Sequence, residues 1–185
     1  TNPRYTGGGR KNMERKFAGW VKNKLKRGML LDIGSGNPAS GENQPQGYVL
    51  QDIEPYQNID LVCDIRDLPK YIPDGYCSVI RASHVLEHFG TKETQEVIKM
   101  IYRLLEKGGK FIIFVPNFRW HAQLVAQGQD EMAVHYAFGG QLDEWDYHKT
   151  GYTPKILRKY LEQAGFEILT LDEASSIECH AIKNY

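Results

Sequence analysis

Leu30-Leu31-Asp32-Ile33-Gly34-Ser35-Gly36-Asn37 is the stretch that decides how this chain folds. An apolar run carrying one acid ends in two closely spaced glycines. It reads as a buried strand that stops in a tight turn. Glycine tolerates positive φ and has no Cβ, so backbone there can approach a ligand closely. Asp32 sits just ahead of the turn. Its carboxylate would repel a pyrophosphate and suits a ligand that presents an ammonium group.

Gly34 to Ala39 formally fits the dinucleotide fingerprint G-x-G-x-x-A. That fingerprint needs a helix beginning inside it, so that the helix N-terminus meets the phosphates. The segment from Asn37 to Gly47 instead holds Pro38, Gly41, Pro45 and Gly47, and reads as a loop. A nicotinamide dinucleotide is therefore the poorer ligand. S-adenosylmethionine, with its amino-acid end and sulfonium, is the better one. A strand ending in an ordinary turn is the bland alternative, and the rest of the chain argues against it.

At 185 residues the chain is long enough for one domain with a substantial core. Lysine plus arginine and aspartate plus glutamate both total 23, so no global field draws nucleic acid or an anionic membrane. No apolar run approaches the ~20 residues of a membrane helix, and the polar start lacks a signal-peptide core. Cys63, Cys77 and Cys179 have no C-x-x-C spacing, so reduced thiols in the cytoplasm are expected.

Residues 1–10 are polar and glycine-rich. In 11–27, Met13, Phe17, Trp20, Val21 and Leu25 fall on one face of a basic amphipathic helix. Beyond it, strands are expected at 29–33, 48–52, 59–62, 77–82, 110–115, 166–171 and 177–182. Helical periodicity marks 91–106 and 153–164, the latter with a Thr153 cap, Pro154 at its first position and Gly165 at its end. Alternating strands and helices imply a mainly parallel sheet, covered on both faces. The last two strands are joined too tightly for a crossover and should pair antiparallel.

Ligands of such sheets sit beyond the carboxyl ends of the strands. Those ends carry Asp32 and Gly34, then Asp52 and Ile53, then Asp64 and Ile65, then Ser83 and His84, then Pro116 and Asn117. An acid twenty residues after Asp32 can accept both hydroxyls of a ribose. Asp64 can accept from an adenine amino group while Ile65 packs on the base.

In this order the motifs resemble class I S-adenosylmethionine-dependent methyltransferases over about residues 28–170. They are Leu31-Asp-Ile-Gly-Ser-Gly36, Asp64-Ile-Arg-Asp-Leu-Pro69, Ser83-His-Val-Leu-Glu-His88 and Leu104-Leu-Glu-Lys-Gly-Gly109. The resemblance implies an α/β, Rossmann-like, seven-stranded, mostly parallel sheet with helices on both faces and an antiparallel last strand. It also implies S-adenosyl-L-methionine as cofactor. Asp32, Gly34, Ser35 and Gly36 would line its methionine portion, Asp52 with Ile53 the ribose, Asp64 and Ile65 the adenine, and Ser83 the strand-four side.

The chain departs from the family in its first loop, where Pro38 and a short loop replace a third glycine and a helix. A subgroup shares this, together with a glycine-glycine-glutamine segment and a later histidine, here Gly139-Gly140-Gln141 and His148. Some of its members are associated with saccharide or cell-envelope biosynthesis.

Residues 117–152 form the longest insertion and are rich in aromatics, as expected of a lid over an acceptor. Tyr136, Gln141, Trp145 and Tyr152 are its candidate substrate contacts. A satellite core under a long loop would use the same residues. Methyl transfer to a hydroxyl is helped by a base, and the candidates are His148, His84 and His88, with Asp143, Glu144 and Asp146 near His148 in sequence. No ligand pair has helical i, i+4 or tight-loop spacing around a third ligand, so no metal is expected. The strand-four end lacks the Asn/Asp-Pro-Pro-aromatic signature of many enzymes that methylate planar amides or base amines. The expected activity is methyl transfer to a small hydroxylated acceptor, such as a saccharide or precursor. The alternative is a donor-binding but non-catalytic regulatory or interaction module.

Overall fold

The computed structural model describes residues 25–38, 44–142 and 144–185. The expected N-terminal helix up to Lys24 and Asp143 lie outside the described residues. Seven strands form one sheet in the order β3-β2-β1-β4-β5-β7-β6. They are β1 (Met29–Ile33), β2 (Val49–Asp52), β3 (Leu61–Val62), β4 (Cys77–Ser83), β5 (Leu105–Pro116), β6 (Glu167–Glu173) and β7 (Ser176–Ile182). Strands β1 to β5 pair in parallel, and β7 runs antiparallel to both β5 and β6. The expected fold class is the one observed. Strand order reverses between β1 and β4, which places the ligand crevice at their carboxyl ends.

The central parallel strands are buried almost throughout, as strands covered on both faces must be. Leu31, Ile33, Ile80, Phe111 and Ile113 have no exposed surface. Helix α1 (Thr91–Leu104) lays Val97, Ile98, Ile101 and Leu104 on this core. It stops two residues before the periodicity does, because Leu105 turns extended and pairs with Cys77. Strand β5 is correspondingly longer than expected. Its pairing with β4 jumps from Leu105 to Lys110, and the intervening bulge is possible because Gly108 takes φ +77°.

The insertion after β5 is not a plain loop. It holds α2 (Phe118–Ala126) and α3 (Asp130–Phe138). Neither presents a continuous apolar stripe, and α3 buries only Ala133. A bridge between Asn117 and Tyr152 pins the two ends together, with the Phe118 N–H donating to the Tyr152 carbonyl at 2.8 Å. Helix α4 (Pro154–Ala164) follows, with the Thr153 side chain capping it and Gly165 ending it at φ +102°. Among the described residues no helix is long and apolar enough to cross a membrane.

Candidate functional site

The glycine turn is built from β1 and held by β2. Gly34 and Gly36 take φ +61° and +66°. A Cβ at Gly34 would lie 2.5 Å from Val85 Cγ2, so only glycine lets the loop after β4 pack on this turn. The Gly34 N–H donates to Gln51 Oε1 at 3.2 Å, and the Ser35 N–H to the Gln51 carbonyl at 2.9 Å. Ser35 Oγ donates to the Asp32 carbonyl at 3.0 Å. Asp52 accepts from the Gly36 N–H at 2.8 Å through Oδ2 and from the Glu54 N–H at 2.9 Å through Oδ1. Asp52 thus shapes the turn. Gln51, absent from the sequence-based site, has one visible signal: a polar residue inside a strand, directly before the acid.

Asp32 has 1% of its surface exposed. Its Oδ1 lies 2.7 Å from Arg81 Nη1, whereas its Oδ2 accepts no hydrogen bond from any described residue. Burial holds the Asp32 carboxyl above its ordinary range, and the Arg81 bond works against that. An orphaned carboxylate oxygen is what a ligand's ammonium group would satisfy.

The remaining donor-side candidates follow the strand ends. Ile53 is half-buried beside Asp52, Ser83 closes β4 opposite Phe114, and Ile65 is buried. Asp64 caps the short 3₁₀ turn at Ile65–Lys70 and accepts from Arg66 Nε at 2.9 Å and Nη2 at 2.6 Å. The Arg66 guanidinium keeps its carboxyl below the usual range. An adenine contact would have to share Asp64 with Arg66.

The loop after β4 carries the acceptor-side candidates. His84 sits at φ +55°, with its N–H on the Phe114 carbonyl at 2.9 Å. Its Nδ1 lies 3.3 Å from Glu87 Oε1, and that carboxylate holds the imidazole above its ordinary value. His148 comes from the insertion and meets His88 edge-on, ring centroids 5.1 Å apart. Burial pushes the His148 imidazole down. The segments lock because the Lys149 and Thr150 N–H groups donate to the Glu87 carbonyl at 2.7 and 3.1 Å. The glycine pair explains itself here. A Cβ at Gly139 would collide with the Asp146 carbonyl and come within 3.1 Å of His148 Cδ2, and one at Gly140 would meet Asp146 Oδ2.

His84, His88 and His148 are therefore brought together around Glu87. Tyr136 adjoins them: its carbonyl accepts from His148 at 3.1 Å, and its ring stacks on buried His121 and edges Trp120. Gln141 lines a groove with Gly139, Gly140 and part of α3, and Trp145 is exposed. Tyr152 is a correction. It has no exposed surface, and its hydroxyl is spent on Thr94 Oγ1 at 2.6 Å and the Leu86 carbonyl at 3.1 Å. Burial raises its phenol further, so it anchors the loop and touches no acceptor. Glu87, the hub, was legible only as an acid between Leu86 and His88.

The model of the methyltransferase domain family matches residues 7–171. No curated protein matches the chain at a significant level. Among solved structures, a chain from the complex between the Haloferax volcanii Trm112 methyltransferase activator and a methyltransferase superposes with TM-score 0.60 at 17% identity, covering 97% of this chain and 95% of that one. A SAM-dependent methyltransferase from Archaeoglobus fulgidus gives 0.58 at 17%, covering 94% of each. The Burkholderia thailandensis 1,6-didemethyltoxoflavin-N1-methyltransferase, solved with S-adenosylhomocysteine, gives 0.56 at 14%, covering 94% and 78%. At such identities these likenesses show the fold. The chain belongs to the methyltransferase domain family. It is a class I methyltransferase with S-adenosylmethionine as methyl donor, and the orphaned Asp32 oxygen beside the glycine turn fits that donor.

Proposed function

We propose that the chain transfers a methyl group to the hydroxyl oxygen of a small acceptor, a saccharide or a biosynthetic precursor of similar polarity. The observation that carries this reading is the cluster of His84, Glu87 and His88, on the loop that packs against Gly34, with His148 from the insertion. Neutral overall charge supports a small acceptor over a nucleic acid.

The bound donor supplies an electrophilic methyl carbon on a sulfonium. Asp32 Oδ2 would take its ammonium group, Asp52 with Ile53 the ribose and Asp64 with Ile65 the adenine, and Ser83 would border the reacting end. His84 takes the acceptor's hydroxyl proton, with Glu87 orienting its ring and balancing the imidazolium charge. The insertion at 117–152 forms the acceptor wall, with Tyr136, Trp145 and Gln141 as its contacts. The oxygen–methyl bond would form as the methyl–sulfur bond breaks, with S-adenosylhomocysteine leaving, and in-line alignment does most of the rest.

The test is incubation of the chain and S-adenosylmethionine with a panel of sugars, sugar nucleotides and hydroxylated precursors, followed by mass analysis. A product heavier by one methylene, labile to O-demethylation, is expected. Methylation confined to amine or carbon acceptors overturns the oxygen assignment, and donor binding without any product supports a non-catalytic module.

A further inference from the structure

Glu87 is 1% exposed, and neither of its carboxylate oxygens accepts a hydrogen bond from a described residue. A carboxylate held this way is costly unless a cation meets it. His84 Nδ1 stands at 3.3 Å from Oε1, which leaves the other oxygen unmet. One donor atom each from Glu87, His88 and His148 lie within 4.8 Å of one another.

Both imidazoles are already oriented. His88 Nδ1 is 3.2 Å from the Tyr147 carbonyl and His148 Nδ1 is 3.1 Å from the Tyr136 carbonyl. A carbonyl only accepts, so each Nδ1 carries a proton, and in the neutral ring each Nε2 keeps its lone pair. Metal-ligating histidines are fixed in this way, their second nitrogen donating to a carbonyl or carboxylate. The ligand segments are also tied to each other, because Lys149 and Thr150 donate to the Glu87 carbonyl.

We propose that Glu87, His88 and His148 form a site for a divalent transition-metal ion, Zn²⁺ by the chemistry of its donors, where the loop that packs against the glycine turn meets the insertion. Two imidazole nitrogens and one carboxylate oxygen suit zinc and leave a fourth position open. Bonds of ~2.0–2.1 Å around a tetrahedral ion set its donors roughly 3.3 Å apart, so side-chain rotations on the order of an ångström complete the site. The spacing rule applied to the sequence misses such a site, because its ligands come from two loops far apart in the chain. The open position gives the ion a use: a hydroxyl bound there becomes acidic near neutrality. That use rests on the hydroxyl-acceptor reading; ion binding itself does not.

The experiment uses the full chain, stripped by dialysis against a chelator and titrated with ZnCl₂ in a calorimeter and with CoCl₂ by visible absorption. One ion per chain is expected, with a zinc dissociation constant on the order of 1 μM or tighter, and cobalt bands of a four-coordinate nitrogen–oxygen site. His88→Ala and His148→Ala should each weaken zinc at least about 100-fold while donor titration stays as in the parent chain. His180→Ala, on β7, should change neither. Should either alanine variant fail to fold, Glu87→Gln, equal in volume and uncharged, provides the same comparison. Absence of saturable zinc binding at about 100 μM, or unchanged affinity in the folded ligand variants, overturns the site. Zinc binding at these residues without hydroxyl methylation upholds the site and overturns the acceptor reading alone.

Discussion

Arg81 Nη1 lies 2.7 Å from Asp32 Oδ1, and the two residues face each other at paired positions of β4 and β1. The guanidinium also sits over the Phe114 ring, 5.6 Å from its centroid. One oxygen of Asp32 is thereby neutralised by the neighbouring strand, and the other accepts no hydrogen bond from a described residue. The pair sits at the reversal of strand order, where β1 and β4 open the crevice.

Removing Arg81 should expose the cost of that buried carboxylate. Burial already holds the Asp32 carboxyl above its ordinary value of 3.8. Its folded pKa then exceeds its unfolded one, so the folded state binds the proton more tightly. This contribution to stability is full below the unfolded pKa and is lost as pH rises through the folded one. Arg81→Leu raises the folded value further. The variant should lose about 2–4 kcal/mol near neutral pH and progressively less on acidification. Urea unfolding at several pH values measures it; a small, pH-independent loss contradicts the account.

Asp52→Ala should act twice. It removes ribose contacts, which should weaken donor affinity by roughly 2–3 kcal/mol. It also frees the Gly36 and Glu54 N–H groups, which should cost about 1–3 kcal/mol of ligand-free stability. Paired calorimetric titration and denaturant melts separate the two. Unchanged donor affinity would remove Asp52 from the ribose site.

Gly34→Ala should be destabilising for steric reasons that Val85 controls. The new Cβ would meet Val85 Cγ2 at 2.5 Å, and φ is +61°. A loss of about 1–3 kcal/mol is expected. In a double-mutant cycle with Val85→Ala, part of that loss should be recovered. Strict additivity would mean that the loop after β4 does not press on the turn.

His84→Ala should lower turnover by about 10²–10⁴-fold with donor affinity nearly intact. The measurement is steady-state kinetics on whichever acceptor the panel identifies, beside donor titration. Full activity in this variant would end the assignment of His84 as proton acceptor.

The first strand and its glycine turn were readable because their signals are local. Met29–Ile33 is a strand with the bounds its apolar run suggests, and the glycines after it take the positive φ that such a turn demands. Helix α4 begins and ends where Thr153, Pro154 and Gly165 place it. The insertion was less readable, because α2 and α3 lie half-exposed against each other and carry no periodic apolar stripe. Tyr152 misled for a related reason. An aromatic residue in a polar segment resembles a ligand contact, but its hydroxyl is satisfied by Thr94 and Leu86, which only the folded chain brings near. The convergence of Glu87, His88 and His148 depends on the same long-range docking and leaves no mark in local spacing.

The central claim is that the acid and glycine turn of β1 form a methyl-donor site and not a dinucleotide site. Calorimetric titration of the chain with S-adenosylmethionine, S-adenosylhomocysteine and NAD tests it most directly. Micromolar binding of the first two, ~ −7 to −9 kcal/mol, is predicted, with no measurable NAD binding. Tighter binding of NAD than of S-adenosylmethionine would contradict it.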